Sequence, residues 1–221
     1  MKHTIYLLVF TLLLTTSCAT KNKLSPIIRL TTSEGKIVLK LYPETPEHRD
    51  NFVKLVESGY YNNQLFHRII ADFMIQAGDP KSKTGTQNQH LGSDSTNYTI
   101  AAEIVFPKYF HKQGALAAAR QADSVNPARA SSGTQFYIVE GRKFTDSELN
   151  TLEKRKNITF TAEQREIYKT IGGAPHLDNE YTVFGQVIKG IEVVHKISKT
   201  ETGALDRPVH NIIIIKADKI K

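Results

Sequence analysis

The hydrophobic pattern of the chain consists mainly of short apolar runs separated by polar turns. Apolar and β-branched residues dominate 27–32 and 37–41, and the polar segment 33–36 between them favours a hairpin. Further short runs predict strands at 65–70, 73–77, 135–140, 181–188 and 209–216. Many short strands with few helices indicate a mainly β protein built on a closed antiparallel sheet.

Two helices are expected to cover this sheet. Thr45 followed by Pro46 is typical of a helix start, because proline fits the first helical position. Apolar residues then recur at helical spacing until Gly59, which offers a C-terminal stop. A second, short helix is predicted at about 190–198.

Two segments depart from the strand pattern. Residues 80–100 are rich in small polar residues and predict a long surface loop. Segment 144–171 predicts one or two short helices, the second beginning at Thr161 with Gln164 three residues later. Its charged pattern is typical of a solvated helix surface, and a partner-binding role for the segment is the alternative.

The N-terminus has the pattern of a targeting segment. Lys2 and His3 precede an apolar run at 5–14, which is too short to span a bilayer and has the length of a signal-peptide core. The sequence Leu14-Thr-Thr-Ser-Cys18 that follows resembles the lipobox of bacterial lipoproteins, whose cysteine is lipidated and becomes the first residue.

We therefore predict a signal peptide at 1–17, a lipidated tether at 18–25 and a single domain at 26–221. Several acyl chains on Cys18 would give a stable membrane anchor, because one chain alone binds only marginally. Ala19 and the residue after it lack the aspartate linked to inner-membrane retention, which favours the outer membrane by resemblance to known lipoproteins. An ordinary secreted protein whose leader contains a cysteine is the alternative.

Composition narrows the functional classes. The net charge is +7, but the lysines are scattered and no basic block alternates with stacking aromatics, which argues against nucleic-acid binding. The single cysteine excludes an internal disulfide. The histidines lack metal-ligand spacing, so we expect no metal and no cofactor, and we expect a monomer.

The strongest chemical signal lies in 66–79, where one arginine and one glutamine stand among bulky apolar residues, as in the wall of a binding site. This segment closely resembles the signature of the cyclophilin peptidyl-prolyl isomerases. The match covers Phe66, His67, Arg68, Phe73, Met74, Gln76, Gly78 and Asp79, with Ala77 replacing the first glycine of a pair.

Two further blocks resemble the same family. One comprises 114–120 and 131–139, the other is 175–187, and with the first block they cover most of 27–217. The resemblance implies a closed eight-stranded antiparallel β-barrel capped by two α-helices, with a helical insertion at about 144–171. It also implies the activity, which is cis/trans isomerisation of X-Pro bonds.

The chemistry of that reaction suits an arginine. Rotation about an X-Pro bond takes about tens to hundreds of seconds unaided, because it breaks amide resonance. The permanently charged guanidinium of Arg68 can hydrogen-bond the prolyl nitrogen as that resonance is lost. By resemblance, Arg68 is catalytic and the substrate-binding residues are Phe73, Met74, Gln76, Ala119, Arg120, Gln135, Tyr137, Leu177 and Tyr181. We interpret His67 as a structural histidine with satisfied hydrogen bonds.

The predicted protein is a cell-envelope lipoprotein that isomerises X-Pro bonds in unfolded or folding polypeptides. The alternative is a proline-peptide binding or holdase module with little turnover. Ala77, Tyr137 and His176 depart from the family pattern and keep that alternative open.

Overall fold

The computed structural model describes residues 25–84, 89–93 and 98–221. The predicted signal peptide, Cys18 and all of the tether except Ser25 lie outside the described residues. Within those ranges, no helix combines the length and the apolar character needed to cross a membrane.

Eleven strands are described. They are β1 Ile27–Thr32, β2 Gly35–Leu41, β3 Gln64–Leu65, β4 Arg68–Ile70, β5 Met74–Ala77, β6 Thr99–Ile100, β7 Ala115–Ala118, β8 Ser131–Ser132, β9 Phe136–Val139, β10 Val183–Lys189 and β11 Ile213–Lys219. Nine form one antiparallel sheet in the order β3-β11-β1-β2-β10-β7-β9-β5-β4, and β6 pairs separately with β8.

The fold is mainly β, as predicted, but the closed eight-stranded barrel is wrong in strand number and in closure. The predicted strand 65–70 is interrupted at Phe66 and His67. The Phe66 amide donates to the carbonyl of Ile212, whereas the His67 amide donates to that of Gln76. The chain therefore changes partner strand here, and the curled sheet remains open between its edge strands β3 and β4.

The hydrophobic core lies between the sheet and two helices, α1 Pro46–Glu57 and α4 Ile191–Ser198. Phe52 of α1 packs against three aromatic rings, those of Tyr61, Phe136 and Phe184, at centroid distances of 5.1, 5.3 and 5.4 Å. Truncating such a buried aromatic side chain costs about 3–5 kcal/mol of stability. These helices correspond to the two predicted from the sequence.

The described residues contain four α-helices, because the predicted helical insertion adds α2 Asp146–Lys156 and α3 Ala162–Thr170 to the two helices that cover the sheet. Each begins with a capping box, Thr145 with Glu148 and Thr161 with Gln164, which satisfies free backbone N–H groups. The insertion has its own apolar cluster, formed by Phe110, Leu149, Leu152, Phe160 and Tyr168.

The two ends of the insertion are joined to each other by backbone hydrogen bonds. The amide of Arg142 donates to the carbonyl of Gly173 at 3.2 Å, and the amide of Gly173 donates back at 3.0 Å. A β-carbon on Gly141 would lie 2.4 Å from Cα of Gly173, so only glycine permits this approach. The two ends of the insertion therefore lie side by side.

Candidate active site

A cavity of about 500 Å³ opens beside β4, β5 and β9. Nine of the ten residues predicted for catalysis and substrate binding line it: Arg68, Phe73, Met74, Gln76, Ala119, Arg120, Tyr137, Leu177 and Tyr181. The tenth, Gln135, lies behind the wall, where its Oε1 accepts a hydrogen bond from Nε2 of Gln76 at 3.1 Å. Three sequence blocks thus converge on one hollow.

Strand pairing holds Arg68 at this cavity. Arg68 on β4 lies directly opposite Gln76 on β5, and its Nη1 donates to Oε1 of Gln76 at 3.4 Å. Its Nε donates to Oδ2 of Asp206 at 3.2 Å. A guanidinium has five N–H donors, so these two contacts orient the group and leave the remaining donors for a ligand.

The apolar part of the cavity is a cup of side chains apart from the main core. Met74 and Leu177 are buried, and Phe73 is half-buried at the rim. The Phe73 ring lies 5.1 Å from that of His176. A cup of this kind fits a compact apolar ring.

Tyr137 places a hydroxyl at the base of the cup and is held there by a buried network. Its Oη lies 3.0 Å from Nε2 of His111, and Nδ1 of His111 lies 2.8 Å from Oδ1 of Asp178. The Asp178 carboxylate can only accept in its ionised form, so Nδ1 donates to it, and in the neutral imidazole Nε2 then accepts from Tyr137. Burial raises the pKa of Tyr137 well above its usual range.

Arg120 and Tyr181 form the opposite wall. The guanidinium carbon of Arg120 lies 4.3 Å from the ring centre of Tyr181, a cation–π distance, and Nε donates to the carbonyl of Glu180 at 2.9 Å. Its Nη1 also pairs with Asp123. The guanidinium of Arg120 is thus held by contacts within the protein, whereas the guanidinium of Arg68 keeps several N–H donors available for a ligand.

The sequence did not reveal a third group of lining residues. Leu205 and Asp206 reach the cavity from a short turn before β11, and His90, Leu91, Gly92 and Ser93 reach it from the long loop. Both turn residues have left-handed backbone angles, φ 60° and φ 57°, which are uncommon for residues other than glycine. No spacing pattern links these segments to the cyclophilin signature.

The signature residues Gly78 and Asp79 support the site from outside the cavity. Oδ2 of Asp79 accepts from the amide of Gly92 at 2.7 Å and so fixes the loop that reaches the site. A β-carbon on Gly78 would lie 2.2 Å from the carbonyl oxygen of Thr134. Asp79 therefore fixes the loop and Gly78 allows the close approach of two backbones. These structural roles explain why the signature continues beyond Gln76.

His67 is buried, but the expectation that its hydrogen bonds are satisfied is wrong. Neither ring nitrogen makes a well-formed hydrogen bond among the described residues. Burial lowers the pKa of His67 to about 4, so the ring is neutral at pH 7. In the same ranges, no three His, Cys, Asp or Glu side chains come together as a metal site.

Comparison with known proteins agrees with this geometry. Residues 27–219 match the family model described as cyclophilin type peptidyl-prolyl cis-trans isomerase/CLD. The chain therefore belongs to the family of cyclophilin-type peptidyl-prolyl cis-trans isomerases, as its motifs predicted. Its activity is the isomerisation of X-Pro peptide bonds.

Curated relatives carry the same assignment. A provisionally named peptidyl-prolyl cis-trans isomerase of Staphylococcus haemolyticus is 33% identical over 193 residues, which are 86% of this chain and 89% of that protein. A Staphylococcus epidermidis protein with the same name is 35% identical over 189 residues, covering 85% of this chain and 88% of its own.

Solved structures share the fold. A Cryptosporidium parvum cyclophilin-type isomerase superposes with a TM-score of 0.63 at 22% identity, over 90% of this chain and 99% of that one. A structure of the same isomerase in the presence of the dipeptide Ala-Pro gives a TM-score of 0.62 at 23% identity, over 88% of this chain and 99% of that one.

Proposed function

We propose that Arg68 is the catalytic residue of this isomerase. The amide bond before proline has partial double-bond character, and this is lost when the bond is twisted. The prolyl nitrogen then gains a lone pair, which a guanidinium N–H can bind. Because this hydrogen bond strengthens only in the twisted state, it lowers the barrier instead of stabilising the bound substrate.

The observation that carries this proposal is the neighbourhood of the Arg68 guanidinium. It lies at the mouth of a cup that includes Met74 and Leu177, and among the described residues only its Nη1 and Nε are engaged by side chains of the protein. We propose that the proline ring occupies this cup, which also includes Phe73. A ring bound there would bring its nitrogen towards the free donors.

We further propose that the polar wall binds the substrate backbone. Gln76 uses Oε1 for Arg68 and one N–H for Gln135, so its second N–H is available to a peptide carbonyl. Ala119, Arg120 and Tyr181 would flank the residue before proline.

The test compares Arg68→Ala with Arg29→Ala in proline-limited refolding of a model protein. Arg29 is a suitable control, because its side chain is similarly exposed (38% against 41%) and also pairs with an aspartate. We expect Arg68→Ala to lower kcat/KM by at least about 100-fold, the usual cost of losing a transition-state donor. We expect no loss from Arg29→Ala.

The same variants distinguish an enzyme from a proline-binding or holdase module. NMR exchange spectroscopy of an Ala-Pro peptide reports isomerisation, while chemical-shift titration reports affinity. Catalysis by the wild type with loss in Arg68→Ala supports the proposal. Equal exchange rates for both proteins would exclude Arg68 as the catalytic group, and affinity without exchange would favour the binding module.

We propose that the enzyme acts on unfolded or folding polypeptides at the cell envelope, anchored by lipid on Cys18, with the outer membrane favoured. The support is the lipobox resemblance at residues 14–18 and the lack of an aspartate after Cys18. A Cys18→Ser variant is expected to leave the membrane fraction. An unchanged distribution between membrane and soluble fractions would exclude acylation at this residue.

A further inference from the structure

A second cavity of about 470 Å³ lies next to the proline cup. One wall is helix α2 of the insertion, and the others are the β4–β5 turn and the base of the insertion. It is lined by Asp72, Arg142, Phe144, Ser147, Glu148, Thr151, Leu152, Arg155, Gly173 and His176. Its volume is close to that of the catalytic cavity, so it can hold several atoms of a ligand beyond the proline itself.

The two cavities adjoin at one pair of rings. His176 lines the second cavity and Phe73 lines the first, and their ring centres are 5.1 Å apart. A polypeptide whose proline lies in the cup can therefore continue over this pair into the second cavity. Only one of the two directions along the bound chain leads there.

Helix α2 presents a polar stripe to the second cavity. Ser147, Thr151 and Arg155 are spaced four residues apart, so they lie one above another on the same helical face. All three are exposed. Within the described parts of the chain, the Arg155 guanidinium makes no hydrogen bond and no ion pair, and is thus a free cationic donor at the end of the stripe.

The other cation of the cavity is already neutralised. Nη2 of Arg142 donates to Oε1 of Glu148 at 2.8 Å, and its guanidinium carbon lies 4.0 Å from the ring centre of Phe144. The carboxylate of Asp72, on the β4–β5 turn, has no such partner in the described ranges. The cavity therefore offers one unpaired positive charge and one unpaired negative charge on different elements.

Arg155 is close enough to act on the junction between the cavities. Burial is the main cause that lowers the pKa of His176, and electrostatic interactions with His111, Lys156 and Arg155 contribute to this shift. Lys156 is paired with Glu180 and does not line the cavity, so Arg155 is the cation that a ligand in the cavity would meet.

We propose that the second cavity is a subsite for the substrate segment on one side of the proline, and that Arg155 selects an acidic side chain in that segment. This inference rests on the proposed binding of proline in the cup. It gives the insertion a role in substrate choice. Asp72 limits the preference, because a second acidic residue would meet its carboxylate.

The test measures dissociation constants by isothermal titration calorimetry. The probes are nine-residue alanine-based peptides with one central proline and either glutamate or lysine at one of the second to fourth positions on either side. We expect the wild type to prefer glutamate over lysine by about two- to five-fold, the range of an exposed ion pair. This preference should occur on one side of the proline only and should weaken in high salt.

Matched variants assign the effect to Arg155. Arg155→Glu should reverse the preference, whereas Lys154→Glu, the same charge change on an exposed neighbour that does not line the cavity, should leave it nearly unchanged. Asp72→Asn should increase the preference, and asparagine tolerates the left-handed backbone at this position.

The proposal is overturned if glutamate and lysine peptides bind equally, or if Lys154→Glu shifts the ratio as much as Arg155→Glu does. Exchange rates of an unsubstituted Ala-Pro peptide, measured in parallel, test the catalytic proposal on its own. A normal exchange rate with no charge preference would therefore reject the subsite alone. A wild-type exchange rate in Arg68→Ala, with the charge preference retained, would reject only the role of Arg68.

Discussion

The carboxylate of Asp206 lies 3.2 Å from Nε of Arg68, although the two residues are far apart in the sequence. Asp206 sits in the turn that contains Leu205, whose side chain is 66% exposed at the edge of the cavity. Arg207 ties this turn to the long loop through the carbonyl of Gln89. The turn therefore orients the proposed catalytic group from outside the signature.

Asp206→Asn should lower kcat/KM for an X-Pro peptide without loss of folding. Both partners are exposed, so the pair contributes up to about 1 kcal/mol, which corresponds to a decrease of up to about five-fold. Asp218→Asn, which breaks the remote pair with Arg29, is the matched control and should leave the rate unchanged. If Asp206→Asn retains the full rate, the contact does not position Arg68.

Gly78→Ala should destabilise the protein by at least about 1–3 kcal/mol. The added β-carbon would lie 2.2 Å from the carbonyl oxygen of Thr134, and φ is +103° at this position. Gly203→Ala is the control, because nothing lies within 4 Å of its added β-carbon. Urea unfolding of both variants checks the difference, and equal midpoints would contradict this account of the motif.

Tyr137→Phe should cost about 1–3 kcal/mol of stability while isomerase activity is retained. The change leaves Nε2 of buried His111 without its partner, and an unsatisfied buried acceptor carries a desolvation penalty. Tyr98→Phe removes a hydroxyl from an exposed side chain, where water can replace it, and should cost less. Thermal unfolding together with an activity assay distinguishes the two. A large loss of activity would instead indicate that the hydroxyl contacts substrate.

Stability should fall as the pH is lowered from about 6.5 towards 4. The pKa of His67 is about 4 in the folded protein and near 6.5 when unfolded, so the unfolded chain binds more protons in this window. The stability that neutral His67 contributes to the folded protein is fully present above about pH 6.5. Roughly 2 kcal/mol of this free energy of unfolding is lost between pH 7 and pH 5.

His67→Gln should reduce this pH dependence, whereas His210→Gln, at an exposed site, should not. Denaturant unfolding of the three proteins at pH 7 and pH 5 measures the effect. A wild-type loss that persists fully in His67→Gln would assign the titration to another group.

The parts of the fold that could be predicted from sequence are those with a clear period or a clear start signal. The strands β1 and β2 and the helix after Thr45 have such signals. The sequence Ala-Leu-Ala-Ala of β7 does not predict a strand, because small residues carry little β preference. The last strand begins later than its predicted start at 209, because consecutive isoleucines at 212–215 give no alternation to fix where it begins.

The site residues also divide into those that the sequence predicts and those that only the tertiary structure reveals. Residues within the signature blocks, such as Arg68 and Leu177, could be assigned by resemblance, and they line one cavity. Asp206 and His111 could not, since their contacts depend on tertiary approach between distant segments. The role of Arg155 likewise depends on which face of α2 turns towards the cup. Sequence periodicity alone does not determine that orientation.

The paired amides and carbonyls of Arg142 and Gly173 have an implication for how this family diversifies. These bonds bring the two ends of the segment together outside the named strands, so the segment can be exchanged for a tight turn without altering any strand register. Homologues could thus acquire or discard a whole selectivity element in one genetic event, while the rotation chemistry is inherited unchanged.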